Sequence, residues 1–410
     1  MINKQRLLER FLRYVAVDTT AVEDAGKYPS SDGQIELGKL LLSELQAMGI
    51  ADAQQDKYGI VMGTVPANVE GIDTIAFNSH VDTSPETSGA NVKPQVIENF
   101  DGNDIQLTGD PSKVIRAETC KELPLAKGKT IITTDGTTLL GGDDKAGVAI
   151  IMELANFLME NDDVERGPVR VLFTCDEEIG KGVDHVDVSK VDAAACYNFD
   201  GGGQNIVDNE TFSADMAVVK IKGTNIHPAI AKDKMVNAVR AAAEFLNGLP
   251  RELSPECTQD REGFLHPYVI EGGVGEVTIK ILLRDFDAAK FTEFREVIET
   301  ARISTLESFA KLEIEIEYVQ QYRNLGDGLS KEPRALQFAT DAHEVLNRKF
   351  DLQCIRGGTD GSRLTELGLP TPNLSSGQHN IHSPLEWACL DEMVGACEIG
   401  IEIVKRWRKN

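Results

Sequence analysis

FTCDEEIG, residues 173–180, closes an apolar run (Val169, Val171, Leu172, Phe173) with three successive acids, Asp176, Glu177 and Glu178. Carboxylates at the end of a buried strand repel one another and lose hydration, so their grouping needs a compensating cause. Three further short apolar runs, 59–64, 74–79 and 193–198, read as buried strands like 169–174. Helical patterns lie between them. Residues 34–48 put Leu37, Leu41, Leu45 and Met48 on one face, and 145–159 put Val148, Met152, Ala155 and Met159 on one face. Strands alternating with helices of this length predict an α/β domain whose sheet is mostly parallel, with helices on both faces.

Beyond about residue 203 the texture changes. Strands are expected over 217–222, 276–283 and 312–319, with helices over 235–246 and 291–309. That order predicts a smaller α+β two-layer unit inserted into the first. The boundaries read as 1–208, 209–321 and 322–410. Residues 322–329 read as turn, and 334–350 as helix. The N-terminus carries Leu7, Leu8, Phe11, Leu12 and Val15 at helical spacing among charges, as an amphipathic surface helix would.

The chain has 410 residues, with 42 Lys and Arg against 66 Asp and Glu, for a net charge of −24. An acidic surface disfavours nucleic acid and anionic membranes as partners and suits a protein that holds cations. No apolar run is long enough to span a bilayer, and a cytoplasmic location is expected. The 7 cysteines are scattered and include no C-x-x-C, so reduced thiols are expected rather than a disulfide framework or a zinc knuckle.

Other chemistry-bearing residues also follow apolar strands, open a helix or lie in a late loop. FNSHVDTSP (77–85) holds His80 and Asp82, LLGGDDKAG (139–147) holds Asp143 and Asp144, NFDGG (198–202) holds Asp200, and GQHNIHSPLEW (377–387) holds His379 and His382. Ligands of open α/β sheets bind outside the carboxyl ends of strands, so these segments can converge on one rim. His80, Asp143, Glu178, Asp200 and His382 supply two imidazoles and three carboxylates. That inventory suits two divalent ions sharing one carboxylate. Bland roles compete. Asp144 could cap the following helix while Asp143 binds metal, His379 competes with His382, and Arg284 could pair with Asp285 or Asp287. Asp176 reads as solvated or bonded to backbone.

These stretches, with KGTNIHPAIAKDKMVNA, LRDFD and RGGTDGSRL, resemble the co-catalytic (dinuclear-metal) metallopeptidases that include carboxypeptidase G and amino-acid deacylases. The resemblance is strongest to the family's tripeptide aminopeptidases. It spans about residues 78–387 in the family's order. It implies that His80 and Asp200 hold one ion, Glu178 and His382 the other, and that Asp143 bridges them. Asp82 would orient His80, and Glu177 would be the general base toward a metal-bridging water. It further implies that the insert is a lid, and that His227, Asn225, Arg284 and Arg356 bind substrate. The expected activity is release of the N-terminal residue from tripeptides with two Zn²⁺ (Mn²⁺ or Co²⁺ as alternatives), in a homodimer formed through the lid. The competing readings are a dipeptidase or N-acyl amino-acid deacylase on the same scaffold, and a non-catalytic binding protein.

Overall fold

The structure, a computed structural model, describes residues 1–408. Strand Val169–Thr174 pairs in parallel with Ile75–His80, which pairs in parallel with Ala195–Gly202, which pairs in parallel with Asn373–His379. Alternation along these strands feeds two apolar layers. Phe77, Val171, Phe173, Tyr197 and Phe199 enter one, with the buried sides of helices Lys4–Val15, Asp32–Ala47, Gly142–Glu160 and Leu390–Trp407. Ala76, Leu172 and Cys196 enter the other, with Val191, Leu364 and Leu369. Both faces are dry, which is why the sequence shows continuous apolar runs here instead of alternation.

Antiparallel strands flank the parallel centre. Val61–Val65 borders Val169–Thr174, while Trp387–Cys389, Ile131–Thr133 and Gln95–Ile97 extend the other side of an 11-stranded sheet. His80 is in register with Thr174. The segments that leave the sheet there, 81–85 and 175–180, therefore start level with each other.

Helix Gly142–Glu160 lies tight against the sheet: a Cβ at Gly147 would stand 2.0 Å from the Phe199 carbonyl oxygen. Only glycine permits that approach. The N-terminal helix Lys4–Val15 buries Leu7, Phe11, Tyr14 and Val15 as its spacing requires. It is not a plain surface helix, because Arg10 is buried too. Its guanidinium donates to Glu153 Oε2 (2.7 Å) and Glu44 Oε2 (3.0 Å), and Arg6 donates to the same Glu153. Among the described residues, no helix is long and apolar enough to cross a membrane.

The described chain divides into two compact units, one of residues 1–209, 325–353 and 359–408, the other of residues 210–324 and 354–358. The second unit holds a four-stranded antiparallel sheet in the order Phe264–Gly272, Glu276–Asp285, Ser213–Lys222, Glu313–Tyr322. Helices Ala238–Asn247 and Lys290–Ser308 cover one face, where Phe245 and Ile298 pack with Ala217, Val219, Ile279 and Ile281. Here the strands do alternate, because only one face is covered. Strand Phe264–Gly272 is absent from the sequence expectation; His266 and Pro267 break its pattern, and the pairing shifts register between Pro267 and Val269. Two further local expectations are corrected. Residues 325–329 form a short helix rather than turn, and the helix expected to reach 350 stops at Val345, ahead of strand Asp351–Ile355.

Candidate metal centre

His80 closes strand Ile75–His80 and is 2% exposed. Its Nε2 stands 3.1 Å from Asp143 Oδ1 and 3.6 Å from Asp200 Oδ1. His382, at φ +59° in the loop after strand Asn373–His379, points Nε2 at Asp143 Oδ2 (3.2 Å) and Glu178 Oε2 (2.9 Å). The two oxygens of Asp143 thus face two different imidazoles. Each imidazole has a second carboxylate beside it, Asp200 for His80 and Glu178 for His382.

The local backbone explains how Asp143 is presented. Gly141 takes φ +80°, and Asp143 and Asp144 depart from helical angles before the helix settles. Asp144 does not cap this helix. It is wholly buried, and its Oδ2 accepts from Ser79 Oγ (2.5 Å) and the His80 backbone N–H (3.3 Å). It joins His80 and Asp200 in one set of candidate ligand atoms lying within 4.8 Å of one another; His80, Asp143 and Glu178 form another. The shared-carboxylate geometry belongs to Asp143, because Asp144 spends one oxygen on the protein.

His80 Nδ1 donates to the Asp82 backbone carbonyl at 3.2 Å, and Asp82 Oδ1 lies 3.3 Å from the same nitrogen. The two Asp82 carboxylate oxygens also accept the backbone N–H groups of Glu177 (3.1 Å) and Glu178 (3.0 Å). One residue therefore contacts both an imidazole and the turn that carries two acids. Those acids sit in the one-turn 3₁₀ segment Glu177–Ile179. Burial pushes Glu177 well above the usual carboxylate range, and Asp200, Asp360 and Glu178 add to it. Burial likewise pushes Glu178 up to about 7. For His80, burial opposes the charge, but hydrogen bonds to Asp143, Asp200 and Asp82 outweigh it and hold the imidazole above its ordinary value.

These residues fit a pair of cations. Among the described residues, Glu178 Oε1 and Asp144 Oδ1 are buried with no hydrogen-bond partner. Orphaned carboxylate oxygens beside other acids are costly unless a cation joins them. Imidazole with carboxylate is the donor set of zinc, manganese or cobalt sites.

Asp176 is not solvated but hydrogen-bonded, to backbone and to side chains. It is buried at φ +61°, and its carboxylate accepts from Ser30 N (2.6 Å), Ser30 Oγ (2.5 Å) and Gln34 Nε2 (2.6 Å). His379 is committed elsewhere, bonded to Glu392 Oε2 (2.8 Å) and stacked on Trp387 at 3.7 Å. Asp360 and Glu386 are buried acids that bear on this site and carry no assignment in the sequence reading. Asp360 accepts from Thr174 Oγ1 (2.5 Å), and burial pushes it up to about 7. Glu386 accepts three backbone N–H groups from the Asp143 loop. Its only sequence signal was its place in HSPLEW.

The four residues expected to bind substrate belong to the second unit. Asn225 and His227 are exposed, and the Ala229 N–H donates to His227 Nδ1 (3.2 Å). Arg284 donates to Gln321 Oε1 (2.8 Å) and stands over the Tyr322 ring at 5.4 Å. Arg356 donates to the Asp260 carbonyl (3.1 Å) and Thr258 Oγ1 (3.0 Å), over the Phe212 ring at 5.3 Å.

Comparison with known proteins adds the following. The sequence profile of Peptidase family M20/M25/M40 matches residues 140–406. A protein named Peptidase T from Bacillus thuringiensis subsp. konkukian (strain 97-27) is 42% identical over 407 residues, 99% of each chain. Among solved structures, aminopeptidase PepT from Bacillus cereus ATCC 10987 superposes with a TM-score of 0.77 at 24% identity over 99% of each chain. A tripeptidase from Staphylococcus aureus subsp. aureus Mu50 gives 0.76 at 22% over 100% of each chain. A dinuclear metal binding M20 peptidase from Bacillus subtilis gives 0.64 at 15% over 98% of each.

Proposed function

This chain belongs to peptidase family M20/M25/M40 and is a hydrolase of the aminopeptidase kind, and we propose that it releases the N-terminal residue of tripeptides at a two-metal centre. The observation that carries this reading is the split address of Asp143: Oδ1 toward His80 at 3.1 Å, Oδ2 toward His382 at 3.2 Å. His80 and Asp200 would hold one ion, His382 and Glu178 the other, with Asp143 common to both. Zinc is the first choice of metal, manganese or cobalt the second.

The ions, when bound, polarise the scissile carbonyl and bring the pKa of a water down toward ~7. The chain's own residues do the rest. Asp82 keeps His80 in the tautomer that frees Nε2 for a ligand role. Glu177, held by its own N–H on Asp82, takes the proton of the attacking water on its carboxylate and returns it to the leaving amine. Proton transfer of this kind contributes roughly 10²–10⁴-fold. Asn225, His227, Arg284 and Arg356 are proposed as peptide-binding groups; guanidinium pairs bidentately with a terminal carboxylate. The names of the relatives, Peptidase T and tripeptidase, support tripeptides over dipeptides or acyl amino acids. The lid role of the second unit, dimerisation through it and a cytoplasmic location belong to the same proposal.

A panel of di-, tri- and tetrapeptides and N-acyl amino acids tests the substrate. Tripeptides should turn over fastest, and faster dipeptide or acyl cleavage would overturn the assignment. Glu177→Gln should lower kcat by roughly 10²–10⁴-fold with both ions still bound. His80→Ala should lose one equivalent of metal by elemental analysis, and full retention would remove His80 from the ligand set.

A further inference from the structure

We propose that Glu386 is the positioning residue for the shared carboxylate: it fixes the direction in which Asp143 points. The proposal rests on the two-metal reading above. Asp143 sits where a loop becomes a helix, and the residue at the N-cap, Gly141, has no side chain to bind the free N–H groups of the first turn. Glu386 does that from outside. Its Oε2 accepts Leu140 N–H (2.7 Å) and Gly141 N–H (2.8 Å), and its Oε1 accepts the N–H of Asp143 itself (2.9 Å).

The arrangement is closely built. Glu386 is 1% exposed, and a Cβ at Gly142 would stand 3.1 Å from its Oε1. Lys145, the nearest ammonium on the same helix, donates instead to the Val17 carbonyl at 2.8 Å. A buried carboxylate held by backbone N–H groups alone is an anchor whose geometry is set by the loop it binds.

Its place in the chain gives that anchor a function. Glu386 lies four residues after His382, so one short segment delivers a ligand imidazole and clamps the loop bearing the ligand it must face. The contact between His382 Nε2 and Asp143 Oδ2, 3.2 Å, spans the two segments that Glu386 ties. Loosening the tie lets Asp143 turn, and one of its two oxygens then leaves its imidazole.

Glu386→Gln tests this, because the amide NH₂ must then face an N–H from which it cannot accept. Metal-free wild type is first titrated with zinc and with cobalt(II) by calorimetry and visible absorption. Fewer than two ions bound would sink the two-metal reading itself, and this inference with it. With two bound, Glu386→Gln should bind at least one ion roughly 10–100-fold more weakly, the cost typical of losing a group that orients a ligand. The cobalt absorption bands should shift, and kcat should fall with KM little changed. Gly142→Ala, which crowds Oε1 without removing the carboxylate, should act in the same direction with smaller size, and it decides the matter should Glu386→Gln fail to fold. A folded Glu386→Gln protein with wild-type affinities and cobalt spectrum overturns the proposal. So does an unchanged Gly142→Ala protein where the first variant does not fold.

Discussion

Asp215 and Glu178 are acids shut away from water, one in each unit, with side chains 1% and 5% exposed. Asp215 finds its counter-charge in the chain: Arg295 Nη2 lies 2.7 Å from Oδ2 and Arg323 Nη1 2.9 Å from Oδ1. Among the described residues, Glu178 meets only an imidazole on one oxygen, and its other oxygen is buried with no partner. Nearby stand Asp143, Asp144, Asp200 and Glu177, and among the described residues the ion pairs made by Asp143, Glu178 and Asp200 are with imidazoles alone. A buried acid with its own guanidinium is part of the fold. A buried acid left open among other acids marks where a cation from outside completes the structure.

The sharpest way to break this comparison is to neutralise each acid in turn. Glu178→Gln should weaken the binding of one ion by more than the roughly 10–100-fold typical of an outer-shell loss. In the metal-free protein the same change should shift the melting temperature little, since it gives up the His382 contact on one oxygen and also removes a buried charge whose other oxygen has no partner among the described residues. Thermal melts with and without chelator check both statements; a large loss of metal-free stability would make Glu178 structural.

Asp215→Asn should do the opposite. It weakens one charge-assisted hydrogen bond and removes the other, because an amide NH₂ cannot accept from a guanidinium, and should cost about 1–3 kcal/mol, with or without metal. A cost seen only in the metal-loaded protein would erase the distinction between the two acids.

The same contrast explains what the sequence shows and hides. The parallel centre is legible because Val169–Thr174 and Ile75–His80 are buried on both faces and read as unbroken apolar runs. Four of the five ligand candidates are legible because each follows such a run or opens a helix, whereas His382 lies in a late loop and is chosen over His379 by the family resemblance. What stays hidden is side-chain work across long sequence distance. Asp176 answers Ser30 and Gln34, 146 and 142 residues away, and Glu386 answers Asp143, 243 away. Composition and periodicity carry no trace of such pairs. Strand Phe264–Gly272 stays hidden for a local reason, since Pro267 falls within it and shifts its pairing. Arg10 stays hidden because a charged residue at helical spacing reads as solvent-facing until Glu153 and Glu44 are seen beside it.

The two acids, Glu178 and Asp215, also differ, by a smaller effect, in the protons around them. Hydrogen bonds to Asp143 and then Glu178 hold His382 up at about 11, far above a free imidazole. In the folded, metal-free protein this raised value contributes stability that is full below about 6.5, the unfolded value, and is lost as pH rises through about 11. A metal takes the neutral imidazole, so binding must expel that proton. Affinity should therefore rise with pH by about tenfold per unit for each proton displaced. Below about 7, where Glu178 also carries a proton, the slope should steepen. Calorimetry of zinc binding in buffers of different ionisation heat measures the protons released. Asp215→Asn should keep the wild-type number, because its partners are arginines that do not titrate in this range. Affinity flat between pH 6 and 9 would show that the imidazoles are already neutral, and the first unit's acids would then need another explanation for their grouping.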